Sequence, residues 1–359
     1  MRSGFFASLL LVLLACSAGT TLPHAGDRGI PALPQQTFET FFYLRNNDEA
    51  IRSFAAHAQH ISIIGPQTFN ISAAGELRGQ VAPRILEIAR SGGVKVMPLF
   101  LNPGFDQAMA HALLDDPAAR FRAVRTMVDL AVADHFWGWQ FDMENIHASY
   151  RDRLTAFYRE AADALHAAGK TISIAVVPTD GSAGDDAFSE YMQENWRNSF
   201  DVAALAEIGD FVSWMTYAQH AGGTTPGPVA GLPWMREMMD WVLAQGVAPE
   251  KISLGIPSYS DYWLPTYSEE SGARVRGRDI SFARANELAG AEWTWSAEQG
   301  VAYAFWRRNV TFDWIFREDA RSFGLKLDLM GEYAGLRGIS VWVLGSEDPG
   351  IWDVLAARR

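Results

Sequence analysis

The chain of 359 residues has a single cysteine, Cys16, so it cannot form an internal disulfide. Basic side chains are also in deficit, with 30 Lys and Arg against 42 Asp and Glu and a formal net charge of −12. Such an excess of acid repels phosphate backbones and anionic headgroups, which disfavours nucleic acid as a partner. A neutral ligand such as a sugar polymer is compatible with this charge.

The eight histidines show no HExxH motif or other metal-ligand spacing, so we expect no metal site and no cofactor. The composition is that of a globular protein, with 48% hydrophobic and 20% charged residues, and the length suffices for a large core. The 13 tryptophans can fill that core or stack against sugar rings, and composition leaves both roles open. We expect the chain to act as a monomer.

The N-terminal segment has the pattern of an export signal. The apolar run Phe5–Leu14 is too short to span a bilayer as a folded helix. Cys16 follows the small residue Ala15, and this segment resembles the lipobox of bacterial lipoproteins. We therefore predict a signal peptide over residues 1–15, lipidation of Cys16 and a tether over residues 16–34. The expected product is a membrane-anchored lipoprotein of the bacterial envelope, in the periplasm or outer membrane, with plain secretion as the alternative.

Residues 35–359 alternate short β-forming apolar segments with longer helical patterns, and we predict that they form one domain. The helical patterns include Pro117–Ala133, Tyr150–Ala168, Pro233–Gln245 and Asp319–Tyr333. Eight segments are predicted as strands: Phe38–Leu44, Ile61–Ile64, Val94–Leu101, Gly138–Met143, Thr171–Val177, Phe211–Tyr217, Ile252–Pro257 and Gly338–Leu344.

This alternation predicts the fold class. Strands that alternate with helices form right-handed βαβ units in a parallel sheet, and eight units close into an α/β (β/α)8 TIM barrel. Residues 258–317, between strands seven and eight, are too many for a simple loop and contain the β-forming fragments Glu292–Trp295 and Val301–Arg307. We predict that they form a small α+β insertion in the barrel.

The fourth predicted strand leads into two carboxylates, Asp142 and Glu144. Because side chains alternate along a strand, the polar face points into the barrel if the apolar face packs under helices. Two carboxylates within roughly 7 Å of each other repel, and both this repulsion and partial burial raise the pKa of one of them. That carboxyl group therefore keeps a proton near neutral pH, as a general acid must. The alternative is a surface strand with one solvated face. The polar face holds Gly138, Gln140, Asp142 and Glu144, and the other holds Trp137, Trp139, Phe141 and Met143.

These residues resemble the strand-four signature of glycoside hydrolase family 18, Asp-Gly-x-Asp-x-Asp-x-Glu, which Gly138, Asp142 and Glu144 match. Val212–Tyr217 resembles the family's strand-six Met-x-Tyr-Asp element, and Gly338–Trp342 is similar to its strand-eight end. The three elements occur in the family's order, and the resemblance covers most of the chain. It is strongest to the branch of spore-cortex peptidoglycan hydrolases.

The resemblance implies a glycosidase that cleaves β-1,4 bonds next to N-acetylhexosamine in a cell-wall or chitin-like polysaccharide. The sugar's own acetamido oxygen would attack the anomeric carbon, in a retaining, substrate-assisted mechanism. Glu144 would then act as acid and base, while Asp142 would hold the acetamido N–H and stabilise the intermediate. Tyr217 would hydrogen-bond the acetamido oxygen, and Trp342 would form the floor under the sugar. The alternative is a non-catalytic glycan-binding lipoprotein on the same barrel.

The sequence departs from the family pattern at Trp137, Gln140 and Ala218, which stand where acids are usual. An amide cannot share a proton, so proton sharing is confined to Asp142 and Glu144. Gln219 or His220 are candidates to replace the carboxylate missing at position 218. The further candidates to bind substrate are Gln140 and the polar residues at other predicted strand ends, Tyr43, Gln67 and Asn102, for which loop or capping roles are the alternative.

Overall fold

The computed structural model describes residues 38–269, 272–290 and 292–358. Parallel strands close into a barrel of eight, because the first strand pairs with both the second and the last. This confirms the predicted (β/α)8 TIM barrel. In chain order the barrel strands are β1 (Glu39–Arg45), β2 (Ile63–Ile71, with the hairpin strand β3, Leu77–Gly79), a third strand in two short segments that both pair with β2, namely β4 (Lys95–Val96) and β5 (Leu99–Leu101), then β6 (Gly138–Asp142), β7 (Thr171–Val176), β8 (Phe211–Trp214), β9 (Ile252–Pro257) and, after the insertion, β15 (Gly338–Trp342).

Helices cover the outside of the barrel and begin where the sequence supplies a cap. The side chain of Asp116 accepts a hydrogen bond from the N–H of Ala118, and Pro117 opens the helix that follows. No described helix is long and apolar enough to cross a membrane. The helices are α1 (Asp48–His57), α2 (Pro83–Gly92), α3 (Gln107–Asp115), α4 (Pro117–Ala133), α5 (Arg151–Ala167), α6 (Ala187–Met192), α7 (Val202–Ile208), α8 (Leu232–Ala244), α9 (Phe282–Ala289), α10 (Ala320–Met330) and α11 (Ile351–Arg358).

Prolines account for two errors in the predicted strands. The third strand is split at Pro98, because proline has no N–H to donate to the ladder. The second strand was predicted to end at Ile64, before Gly65 and Pro66, yet β2 continues to Ile71. A side chain at Gly65 would meet the ring of Phe41 at 2.4 Å inside the barrel, so glycine fits this position for space.

The main core lies between the barrel and its helices, as the alternation along β6 predicts. Trp139 donates its indole N–H to the carbonyl of Met127 in α4, and Phe141 packs on Phe157 of α5. Trp137 was wrongly assigned to this outer face. It precedes β6 and packs instead with the cluster inside the barrel, under the side chain of Lys95.

The insertion between β9 and β15 is a small α+β lobe, as predicted, with five antiparallel strands and one helix in its described residues. Its sheet has the order β11-β10-β14-β13-β12, so its first hairpin lies at one edge. Helix α9 packs on one face of this sheet. The strands are β10 (Ser260–Ser268), β11 (Gly272–Ile280), β12 (Thr294–Ser296), β13 (Val301–Arg308) and β14 (Thr311–Arg317).

A buried ion pair lies where the lobe returns to the barrel. Lys326 of α10 is fully buried and donates to the carboxylate of Glu318, whose backbone N–H bonds Ser260 at the start of the lobe. We expect Lys326→Met to destabilise the fold by about 3–5 kcal/mol, because it leaves a buried carboxylate without its cation.

Thermal unfolding of Lys326→Met measures this loss, and the double variant Lys326→Met/Glu318→Leu is the control, because it removes both charges. We expect the double variant to recover most of the stability. A single variant as stable as the wild type would contradict a structural role for this pair.

Candidate active site

A cavity of about 550 Å³ opens at the carboxyl ends of the barrel strands, beside the lobe. This end of the barrel is where (β/α)8 enzymes hold their active sites. Six of the nine residues predicted to bind or act on substrate line it: Tyr43, Gln67, Asp142, Glu144, Tyr217 and Trp342.

Strand β6 carries the carboxylates into the cavity. Asp142 is its last residue and is only 4% exposed, and Glu144 follows two positions later and is half-buried. Gly138 begins the strand, where a side chain would meet the carbonyl oxygen of Thr171 at 2.0 Å. The strand can therefore pack against β7 only with glycine at this position, and the register of β6 brings both acids to the rim.

Burial and mutual repulsion set the protonation of the two acids. Burial raises the pKa of Asp142 to about 7. Burial, followed by the charge of Asp142, raises the pKa of Glu144 well above its usual range. The pair therefore holds a proton near neutral pH, and Glu144 is the member that retains it. This is the charge state that a general acid needs.

Asn102, predicted as a substrate contact, fixes the backbone of Glu144 and is not among the residues that line the cavity. Its side-chain amide donates to the Glu144 carbonyl at 2.8 Å and accepts from the Glu144 N–H at 3.0 Å. The residue is fully buried. An amide can satisfy a donor and an acceptor together, which the backbone leaving β6 requires.

Gln140, also predicted as a substrate contact, is fully buried and is not among the residues that line the cavity. It donates to the hydroxyl of Ser213 at 2.8 Å, and that hydroxyl bonds Ser340, which bonds Ser253. A neutral hydrogen-bonded chain thus fills the barrel beneath Asp142, where the family pattern has a further acid.

Tyr217 and Trp342 flank the carboxylates in the cavity wall. Burial raises the pKa of Tyr217 well above its usual range, so its hydroxyl stays protonated and can donate a hydrogen bond. The centroid of the Trp342 ring lies 5.3 Å from the centroid of the Tyr43 ring. It lies 5.2 Å from the guanidinium carbon of Arg45. An apolar platform with a polar rim of this kind suits a sugar ring.

The loop after β8 does not supply a replacement for the carboxylate missing at position 218. Ala218 lines the cavity. Gln219 was predicted to contact substrate but accepts a hydrogen bond from the Gly231 N–H at 2.8 Å, and His220 bonds the Thr225 carbonyl at 2.9 Å. Both side chains stabilise the loop and are not among the residues that line the cavity.

Five polar residues that sequence reasoning missed also line the cavity. Most come from the lobe, whose strand pairing places positions far apart in sequence beside one another, and the sequence carries no local signal for that. They are Arg45, Tyr259, Asp261, Arg278 and Asp279. Within the described ranges, no group of three or more His, Cys, Asp or Glu side chains is placed to hold a metal ion.

Comparison with known proteins identifies the class to which this barrel and its carboxyl pair belong. The family model described as "Glycosyl hydrolases family 18" matches residues 42–347. The chain belongs to glycosyl hydrolase family 18 and is a glycosidase. Members of this family act on N-acetylated glycans such as peptidoglycan or chitin.

The relatives of the chain include spore proteins. It is 28% identical to YdhD of Bacillus subtilis (strain 168) over 323 residues, which are 87% of this chain and 73% of that protein. It is 27% identical to the "Cortical fragment-lytic enzyme" of the same organism over 335 residues, 91% of this chain and 75% of the relative. The crystal structure of the spore cortex-lytic enzyme SleL of Bacillus cereus has the same fold, with a TM-score of 0.79 at 20% identity over 92% of this chain and 76% of SleL.

Proposed function

We propose that this glycosidase hydrolyses β-1,4 bonds next to N-acetylhexosamine in a cell-wall or chitin-like polysaccharide, with retention and with assistance from the substrate's own amide. The observation that carries the proposal is the pair Asp142 and Glu144 in the wall of an open cavity, where burial raises the pKa of both carboxyl groups. The name of the cortical fragment-lytic relative supports a substrate of the peptidoglycan type.

The reaction assigns one role to each side chain. Glu144 gives its proton to the leaving oxygen and then takes one from the attacking water. Asp142 accepts the acetamido N–H and stabilises the positive charge of the cyclic intermediate. Tyr217 donates to the acetamido oxygen and so orients it toward the anomeric carbon, and Trp342 supports the sugar from below.

Incubation with a panel of N-acetylated glycans, followed by mass spectrometry of the products, tests this function. Peptidoglycan, chitin oligomers and an N-acetylglucosamine exopolysaccharide form the panel, and a glucose polymer without acetamido groups is the control. We expect new reducing ends from one or more N-acetylated glycans only. Binding without any cleavage would favour the non-catalytic glycan-binding protein, and equal cleavage of the control would exclude assistance from an acetamido group.

We further propose that the chain is exported and anchored through Cys16 and otherwise acts as a monomer. The predicted signal peptide, Cys16 and tether lie outside the described residues, so the support comes from the sequence pattern alone. In a bacterial host fed labelled palmitate, we expect the wild-type chain to carry label and Cys16→Ala to carry none. Equal labelling of the two would contradict the lipid anchor, and release of an unlabelled wild-type chain into the medium would favour secretion.

A further inference from the structure

The lobe brings a second pair of carboxylates to the same cavity. Asp261 in β10 and Asp279 in β11 are directly opposite each other in an antiparallel ladder, so their side chains share one face of the lobe sheet. Both line the cavity together with the catalytic pair. Like charges in directly opposed positions destabilise a sheet. The pair therefore costs folding free energy, and a ligand that binds it would offset this cost.

The two acids differ in their exposure and in their hydrogen-bond partners. Asp279 lies at the exposed rim and accepts a hydrogen bond from the Arg45 guanidinium at 3.2 Å. Asp261 is 4% exposed, and its carboxylate makes no hydrogen bond or ion pair with any residue that the structure describes. Burial, then the charges of Asp279 and Glu318, raises the pKa of Asp261 to about 7. A buried acid without a donor, facing a cavity, gains most from a ligand that supplies one.

We propose that Asp261, with Asp279 at the rim, forms a subsite for a sugar with a free amino group, beside the N-acetylated sugar at the catalytic pair. The proposal rests on the proposed function, and it names a partly de-N-acetylated β-1,4 polymer as the substrate class. An ammonium group brings up to three donors and a positive charge, whereas the hydroxyl and acetamido groups of N-acetylhexosamine are neutral.

The charge of the cavity favours this class over a sugar that carries a carboxylate. Four carboxyl groups line it; Glu144 keeps its proton, and the other three face two guanidinium groups, those of Arg45 and Arg278. The Arg45 group already binds Asp279, and the Arg278 group lies over the Tyr262 ring, 5.2 Å from its centroid. A carboxylate on the ligand would therefore meet more repulsion than attraction in this cavity.

Binding to the Glu144→Gln variant, measured by calorimetry at pH 7, tests the subsite without cleavage of the ligand. The probes are the fully N-acetylated β-1,4 tetrasaccharide and the four tetrasaccharides that each carry one free amine. We expect one or more of the amine-bearing isomers to bind about tenfold more tightly than the acetylated probe. The tightest isomer also reports the position of the subsite relative to the catalytic pair.

Variants of the acids show which groups give the preference. The preference is the dissociation constant of the acetylated probe divided by that of the tightest amine-bearing isomer. Adding Asp261→Asn should reduce this ratio to about one. Adding Asp279→Asn, at the exposed rim, should lower the ratio without disturbing the buried part of the cavity wall. Asp129→Asn, on the exposed side of α4, is the matched control and should keep the full ratio. Circular dichroism spectra show whether each variant is folded.

A ratio that survives Asp261→Asn, or no amine-bearing isomer that binds more tightly than the acetylated probe, would overturn the subsite. The outcome is separable from that of the proposed function. An enzyme that cleaves N-acetylated glycans without this preference contradicts only the subsite, whereas a protein that shows the preference but cleaves nothing contradicts only the proposed reaction.

Discussion

Glu144→Gln should lower kcat about a thousandfold while leaving the affinity for N-acetylated oligosaccharides within a few-fold of wild type. Glutamine has almost the same shape and can still bond the glycosidic oxygen, but it has no proton to give to the leaving group or to recover from water. Removal of a positioned general acid typically costs factors of about 10²–10⁴. Steady-state hydrolysis of an N-acetylated tetrasaccharide and calorimetric binding measure the two quantities separately.

Glu237→Gln is the matched control for this substitution, because Glu237 is exposed on α8, on the outer side of the barrel. We expect it to keep wild-type kcat and KM. Wild-type turnover in Glu144→Gln would remove Glu144 as the acid. Loss of binding together with turnover, in a variant that still unfolds at the wild-type temperature, would show a role in binding alone.

Asp142→Asn should lower kcat about a hundredfold and shift the alkaline limb of the remaining activity to lower pH. The loss in rate follows because asparagine cannot stabilise the positive charge of the intermediate. The shift follows because the charge of Asp142 contributes to the raised pKa of Glu144, so its removal lets Glu144 lose its proton at lower pH. The pH profile of kcat in the two proteins measures both effects.

The same variant has a second signature in stability. Because folding raises the pKa of Asp142 from 3.8 to about 7, the wild type loses stability as the pH rises through this interval, and asparagine does not. We expect Asp142→Asn to match the wild type near pH 4 and to unfold at a temperature higher by about 3 °C or more at pH 8. A stability difference that is constant with pH, together with an unshifted activity profile, would contradict the assigned charge state of the pair.

The barrel half of this site could be predicted from the sequence because its signals are local. One face of β6 is bulky and apolar, so the position of Asp142 on the opposite face follows from alternation. The carboxyl ends of parallel strands meet at one end of a barrel, so residues that end different strands, such as Tyr43 and Trp342, come together whatever their separation in sequence.

Two residues predicted as substrate contacts lie away from the cavity, because each side chain had a second physically reasonable partner. Asn102 ends a strand beside the cavity, but the backbone of Glu144 offers both a donor and an acceptor at closer range. Gln219 likewise bonds the start of α8. The strand-end position of Asn102 and the place of Gln219 next to Ala218 predicted that these side chains lie near the site, but not which partner each one takes.

The lobe half of the site was beyond sequence reasoning. Its length and β-forming fragments predicted an α+β insertion, yet the register that sets Asp261 opposite Asp279 depends on non-local pairing. Neither aspartate belongs to a motif. A carboxyl pair formed by register alone becomes visible only when the strands are placed.

Proton NMR of the first products from an N-acetylated tetrasaccharide tests the central claim most directly, namely that the acetamido group attacks while Glu144 supplies and recovers the proton. Attack from within the sugar followed by water gives two inversions, so the newly formed reducing end should appear first as the β anomer and then mutarotate. An α anomer at the earliest times would mean direct attack by water and would contradict the substrate-assisted mechanism.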